Sequence, residues 1–286
     1  MSLLKSNIKL GPAICLSSWR KIAIGTWKTA KDPSVYGMMD VHAAPALAYI
    51  EKIKQETGLK VTLTHVLGKA IAITMQRHPE INCVLRFGRL YPRRDVDVFY
   101  QVATDKAGKD LSGMTVRQAD LKSIPEIARE MQELVHYIRE KDDPSFKKMK
   151  KTMSLIPGLL VGHVLSVAEF FMYSLNLWSP LLGSPRDSFG SVMVTNVGSL
   201  GIETGFAPLV AYSRVPILLA LGAVREMPVV RHHKVEIEEQ MRICVTFDHR
   251  LIDGVVASHM TKTLTNILLN PEVEFSAPPV PNKYFF

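Results

Sequence analysis

The stretch from Pro216 to Gly254 constrains the fold more than any other. Pro216-Ile-Leu-Leu-Ala-Leu-Gly-Ala-Val224 is a continuous apolar run, the composition of a central strand covered on both faces. Val235 to Phe247 then alternates and leads into a polar turn, Asp248-His-Arg-Leu-Ile-Asp-Gly254. His232 and His233 fall in the hairpin between the two strands. Adjacent side chains in such a turn rarely converge on one metal, so they read as solvent-exposed. Beyond the turn, Val255, Val256, Met260, Thr263, Leu264, Ile267 and Leu268 recur at helical spacing. Strand, turn and helix together hold His249 and Asp253 four residues apart, with Gly254 behind them. A ring at that junction is held rigidly yet stays reachable. Imidazole titrates near neutrality, so His249 is a candidate general base. Spacing alone also fits a surface histidine or one satisfied within the core.

At 286 residues, with 47% apolar and 22% charged residues, the chain has the composition of a globular protein with a sizeable core. Its net charge of +8 favours anions: phosphate-bearing cofactors, lipid headgroups or nucleic acid. There is no zinc-type Cys/His spacing and no aromatic-rich basic sheet motif, so no metal and no nucleic acid is expected. Cys15, Cys83 and Cys244 are too far apart for a disulfide framework and fit a reducing compartment. Cys244 reads as a packed core thiol. The N-terminus lacks the apolar stretch of a signal peptide, and the expected compartment is the cytoplasm.

Along the chain, Ser18 is placed to cap a helix starting at Trp19. Tyr36–His42 reads as a strand, followed by a helix over 45–55 with Pro45 in its first turn and Gly58 past its end. Thr64–Arg77 is an amphipathic helix that stops at His78-Pro79. Strands follow at Val84–Tyr91 and Val96–Thr104. Between them, Arg93 and Arg94 read as a solvated turn, with a phosphate site as the alternative. Ser123-Ile-Pro-Glu126 is a capping-box pattern opening a helix with Ile127, Met131, Leu134, Val135 and Ile138 on one face. Ser188–Gly198 reads as a strand entering a Gly-rich turn.

Residues 153–182 carry one fully charged residue, Glu169, and follow Lys147, Lys148, Lys150 and Lys151. Their length suits a membrane span of about 20 residues. A crossing would, however, separate segments that belong to one compact fold. Three readings stay open for this apolar insert: a helical hairpin packed on protein, a re-entrant hairpin in one leaflet, or a lid over an apolar substrate. Glu169 and His163 oppose deep insertion. The lysines favour contact between 147–182 and an anionic membrane surface, at about 1 kcal/mol per charge; packing on a protein partner ranks first and membrane or lipid contact second.

Asp248-His249-Arg250-Leu251-Ile252-Asp253-Gly254 resembles the signature of the dihydrolipoyl acyltransferases, core subunits of 2-oxoacid dehydrogenase complexes. A shorter form, His-x-x-x-Asp-Gly, occurs in the related chloramphenicol acetyltransferases. Other segments follow in the family's order. Leu67–Asn82 resembles its helix ending in a Pro-x-x-Asn turn, Ile124-Pro-Glu-Ile-Ala128 its "Leu-x-Glu-Ile-Ala" helix, and Ser188–Gly198 its "Thr-Phe-Thr-Ile-Ser-Asn-Leu-Gly" strand. Asp105–Val116 departs from it, being far more polar than the apolar segment usual there.

The resemblance covers roughly residues 18–273 outside the insert. It implies an α/β fold: a chloramphenicol acetyltransferase-like mixed sheet flanked by helices, assembled as a homotrimer and in some relatives as a larger cage. It also implies acyl transfer between a coenzyme A or lipoyl thioester and a thiol or hydroxyl. His249 is then the general base. Thr195 matches the family's transition-state serine, although a threonine in a strand is also simply a good β-former. Asp253 pairs with Arg20 to fix the turn, and Asn196 and Gly254 support it. Residues 1–286 read as one catalytic domain with no lipoyl or peripheral-subunit-binding domain, so either a lipoyl group is supplied in trans by a lipoyl-bearing protein, or the chain works alone with coenzyme A and a different acceptor. A non-catalytic trimeric scaffold, or a membrane-associated assembly protein, is the alternative.

Overall fold

In a computed structural model, the described residues are 5–17, 32–103, 111–141, 158–179 and 186–285. The first half of the chain forms β1 (Lys5–Ser6), β2 (Ser34–His42), α1 (Ala44–Thr57), α2 (Leu63–Arg77), β3 (Cys83–Arg86), β4 (Arg89–Pro92), β5 (Val98–Ala103), β6 (Leu111–Val116) and α3 (Ile124–Lys141). The second half adds α4 (Gly158–Glu169), β7 (Leu177–Trp178), β8 (Val192–Asn196), β9 (Ile217–Arg231), β10 (Lys234–Asp248), α5 (Gly254–Leu269) and α6 (Pro271–Ser276).

Local chemistry sets the helix ends. Pro45 sits in the first turn of α1, and Gly58 closes it at φ 68°, a conformation that carries no Cβ penalty in glycine. The Thr62 side chain and the His65 ring cap the start of α2 reciprocally. At α3 the predicted box forms: the Glu126 carboxylate accepts from the Ser123 N–H at 2.7 Å, and the Ser123 hydroxyl accepts from the Glu126 N–H at 3.4 Å.

Among the described residues the main sheet has six strands in the order β2-β10-β9-β8-β5-β6. β8 runs parallel to both β5 and β9, while the other pairs are antiparallel. Side chains alternate between its two faces. Val98, Tyr100, Val192, Val194, Ile217, Leu219, Leu221, Ile243, Val245 and Phe247 join α2, α3 and α5 in the principal core. Met193, Leu218, Ala220 and Cys244 face the other way, into a much smaller cluster with Phe99, Phe189, Leu209 and Val210. On that second face Tyr36 and Met38 of the edge strand β2 stay 52% and 63% exposed. The mixed sheet flanked by helices is the architecture expected.

Two expectations need correction. Val84–Tyr91 is not one strand but the hairpin β3–β4, turning at Phe87 and Gly88, which both take positive φ. Arg93 is neither in a solvated turn nor at a phosphate site. It is 2% exposed and ion-paired with Asp187, itself 5% exposed, and burial of that charge is tolerable because the carboxylate meets it. Within the polar stretch 105–116, Leu111–Val116 forms the edge strand β6 on β5; residues 104–110 lie outside the described residues. The described part of 153–182 is a single helix, α4, running into a π turn at Phe170–Ser174 and then β7, which pairs with β1. Among the described residues no helix is long and apolar enough to cross a membrane.

Candidate active site

His249 stands where β10 ends and α5 has yet to begin. Its backbone N–H donates to Pro33 O at 3.0 Å, while Asp248 O receives the N–H groups of Leu251 and Ile252, both at 3.0 Å. These bonds wind the chain into a tight turn. The ring is fixed from within the same turn, since His249 Nδ1 lies 2.8 Å from Ile252 O. A carbonyl only accepts, so Nδ1 carries the hydrogen and the neutral ring presents its lone pair at Nε2. The half-buried imidazole is thereby set in the tautomer that a general base requires.

Asp248 and Arg250 lock the flanks. Arg250 donates through Nε and Nη2 to the two carboxylate oxygens, at 3.0 to 3.1 Å and 2.6 Å, and its backbone N–H adds a bond of 2.9 Å. Asp253 caps α5, its carboxylate accepting from the Val256 N–H at 3.0 Å. An acid at a helix start satisfies an orphan N–H and complements the dipole. Gly254 is the first residue of that helix. Arg20, expected as the partner of Asp253, and Ser18 lie outside the described residues.

Thr195 is in β8, beside Ala220 of β9, which in turn pairs with Cys244 of β10. Alternation puts Thr195 with Met193 on the sheet's second face, whereas Asn196 faces α2 and donates from Nδ2 to Thr64 Oγ1 at 2.9 Å. The Asn196 carboxamide oxygen also accepts from the Ser199 N–H at 3.0 Å, holding the turn after β8. A pocket of about 340 Å³ opens there, lined by Leu63, Asn196, Gly198, Ser199 and Leu221–Val224. The turn packs directly on β9: a Cβ at Gly222 would meet Glu203 O at 2.0 Å, and one at Gly198 would meet the backbone of residue 222 at 2.5 Å.

The register keeps the two candidate groups apart within one chain. Thr195 is level with Cys244, five positions before His249 and two strands away. At about 3.4 Å per residue and about 4.8 Å per strand, the separation is on the order of 15–20 Å. His249 and Asp253 share the one turn between β10 and α5, each bonded to its own backbone partner, while Thr195 lies distant. Sequence reasoning missed three supports: the Ile252 carbonyl under His249, the Asp248–Arg250 clamp and the Thr64 contact to Asn196. The acid–base pair flanking the histidine, Asp248 and Arg250 two apart, was the available signal for the clamp.

A sheet of this order with a strand–turn–helix histidine defines a chloramphenicol acetyltransferase-like architecture, and chloramphenicol acetyltransferase itself superimposes with a TM-score of 0.52 at 15% identity, over 90% of this chain and all of that one. The family model of the 2-oxoacid dehydrogenases acyltransferase (catalytic domain) matches residues 13–152 and 186–275, and the chain belongs to that family. Among curated proteins it is 22% identical over 255 residues to the lipoamide acyltransferase component of the branched-chain alpha-keto acid dehydrogenase complex of Bacillus subtilis, covering 87% of this chain and 50% of that protein. The chain spans about half the length, or less, of the curated relatives it matches.

Solved structures agree on the fold. The cubic core of the pyruvate dehydrogenase multienzyme complex gives a TM-score of 0.64 at 19% identity, over 92% of this chain and 99% of that one. Azotobacter vinelandii dihydrolipoamide acetyltransferase gives 0.63 at 19% identity, with the same coverage. That structure comes from a study of a serine, a histidine and an asparagine in the enzyme's catalytic mechanism, the last two four positions apart.

Proposed function

We propose that this chain is an acyltransferase that moves an acyl group between the thioester of coenzyme A, or of a lipoyl group, and a thiol or hydroxyl acceptor. The observation that carries the reading is the His249 Nδ1 contact to Ile252 O, which fixes the hydrogen on Nδ1 and so makes Nε2 the basic atom of the ring. His249 removes the proton of the acceptor thiol as its sulfur adds to the thioester carbonyl. The tetrahedral oxyanion accepts a hydrogen bond from the Thr195 hydroxyl. Collapse expels the first thiolate, which recovers the proton from the imidazolium. Asp253 holds the turn and relays no proton; with Arg20 it is assigned as the frame of the loop. The reaction draws on no metal.

Thr195 and His249 are too distant to act together in one chain, so the site is shared between neighbouring copies of a homotrimer. Tyr36 and Met38, exposed beside buried Cys244 and Thr246, supply apolar surface for that contact. The cubic core among the structural neighbours extends the reading to a larger cage. A lipoyl-bearing protein supplies the lipoyl group when that is the substrate, and the cytoplasm is the compartment.

The test measures free thiol released from a panel of acyl-CoAs with dihydrolipoamide as acceptor. His249→Ala is expected to lower kcat by about 10³-fold or more, the upper range for general base catalysis; full activity in that variant would discard the assignment. Mixing His249→Ala and Thr195→Val chains under exchange conditions tests the shared site. Hybrid trimers hold sites pairing an intact histidine with an intact threonine, so activity should return; its failure to return would place both groups in one chain.

A further inference from the structure

The described side chains of α4 are apolar or small and hydroxylic apart from His163 and Glu169; the Glu169 carboxylate is turned inward and ion-paired with Arg214 Nε. From Leu160 onward only Leu165 and Glu169 are half-buried, while Val164 and Val167 are 36% and 57% exposed. A helix apolar on most of its circumference belongs inside something. The π turn that follows brings out Phe170 and Phe171, 46% and 48% exposed, with ring centroids 5.9 Å apart. A second element adds to this ridge. Phe87, at the tip of the β3–β4 hairpin, is 67% exposed and meets Phe170 edge-on at 6.4 Å. It does so at φ 46°, a region that bulky residues avoid.

We propose that α4, its π turn and the β3–β4 tip form a docking surface for an anionic phospholipid bilayer. Charge selects that occupant. Arg86 and Arg89 flank Phe87; Arg86 donates to Ser174 O at 3.0 Å and lies over the Tyr91 ring, and neither arginine has a carboxylate partner among the described residues. Among the described residues of the ridge the one acid, Glu169, is ion-paired with Arg214. What remains is an apolar ridge beside two arginines with no carboxylate partner among the described residues, matching an apolar interior beneath anionic headgroups. The ridge stands out from the fold on two separate elements, a form that a deformable bilayer accommodates without a complementary groove. With no described helix long enough to span, α4 lies in the plane of the interface. The proposal stands independently of the acyltransferase reading.

The test is co-sedimentation of the full chain with vesicles of equal parts phosphatidylcholine and phosphatidylglycerol, against pure phosphatidylcholine. Binding is expected to the anionic vesicles alone and to weaken with added salt. Phe170→Ser with Phe171→Ser should lower the vesicle partition coefficient by about tenfold or more, given the apolar area removed. Phe87→Ser and Arg89→Glu should each lower it less. Val235→Ser, exposed on a different hairpin, should leave it unchanged, and circular dichroism checks that each variant folds. Absence of binding, equal binding to neutral vesicles, or binding untouched by the phenylalanine changes would each overturn the proposal. So would a change in sedimenting mass of those variants without lipid, which would give the ridge to a second copy of the chain.

Discussion

The two faces of the six-stranded sheet are built from alternate residues of the same strands, yet they are finished differently. One face is closed by the chain itself: α2, α3 and α5 cover Leu219, Val245 and their neighbours to near-zero exposure. The other carries Met193, Ala220 and Cys244 under a loop and a few aromatic rings, and leaves Tyr36 and Met38 in solvent. Period-two alternation makes both faces apolar; only the connections decide which is covered. The helix-covered face carries folding stability, and the open one is assigned to assembly and, through Thr195, to chemistry.

The contrast can be broken by experiment. Leu219→Ala removes a fully buried side chain from the covered face and should cost about 3–5 kcal/mol in denaturant unfolding, at any protein concentration. A loss below about 1 kcal/mol would mean that this face is not the stabilising core.

The covered face should also be the pH-sensitive one. Burial holds the His65 pKa down to about 4, below its unfolded value of about 6.5. Below pH 6.5 the unfolded chain therefore binds the proton first. The stability contributed by neutral His65 is lost as pH falls from about 6.5 to about 4, by up to about 3 kcal/mol. His65→Gln should flatten that part of the stability profile; an unchanged slope would contradict the burial argument.

On the open face, Thr195→Val should lower kcat by about 10²-fold with little change in KM, and Thr195→Ser should keep most of the activity. A loss seen only in KM would move the hydroxyl from oxyanion to substrate binding. The smallest thermodynamic effect is expected at Met38→Ser, within about 0.5 kcal/mol for the isolated chain. Its consequence should appear instead in analytical ultracentrifugation as loss of assembly. Equal loss of monomer stability at Met38 and Leu219 would erase the distinction between the faces.

Much of this was readable in the residues, for identifiable reasons. Helix ends were legible because Pro45, Gly58 and the Ser123–Glu126 box act through local bonds. The central strands and the turn at His249 were legible because apolar runs and alternation are themselves the folding instruction. The Phe87–Gly88 hairpin was not, since a phenylalanine at positive φ runs against its own preference and only neighbouring strands impose it. Arg93 misled because a buried arginine requires a carboxylate, and Asp187 lies 94 positions later. The site was half legible. A histidine and its helix cap sit in one motif, whereas the carbonyl that orients the ring belongs to the backbone of Ile252 and has no residue type to reveal it.

Among the described residues the edge strand β2 pairs with β10 alone, and the Asp40–Arg242 pair that bridges them joins residues 202 positions apart. During synthesis β2 therefore emerges with both edges bare and waits for most of the chain before it can pair. Such long-range pairing makes folding slow and leaves a hydrogen-bonding template exposed meanwhile. The chain should accordingly be most vulnerable to misassociation early in its life, with chaperone dependence and expression temperature, more than final stability, governing how much folded protein is recovered.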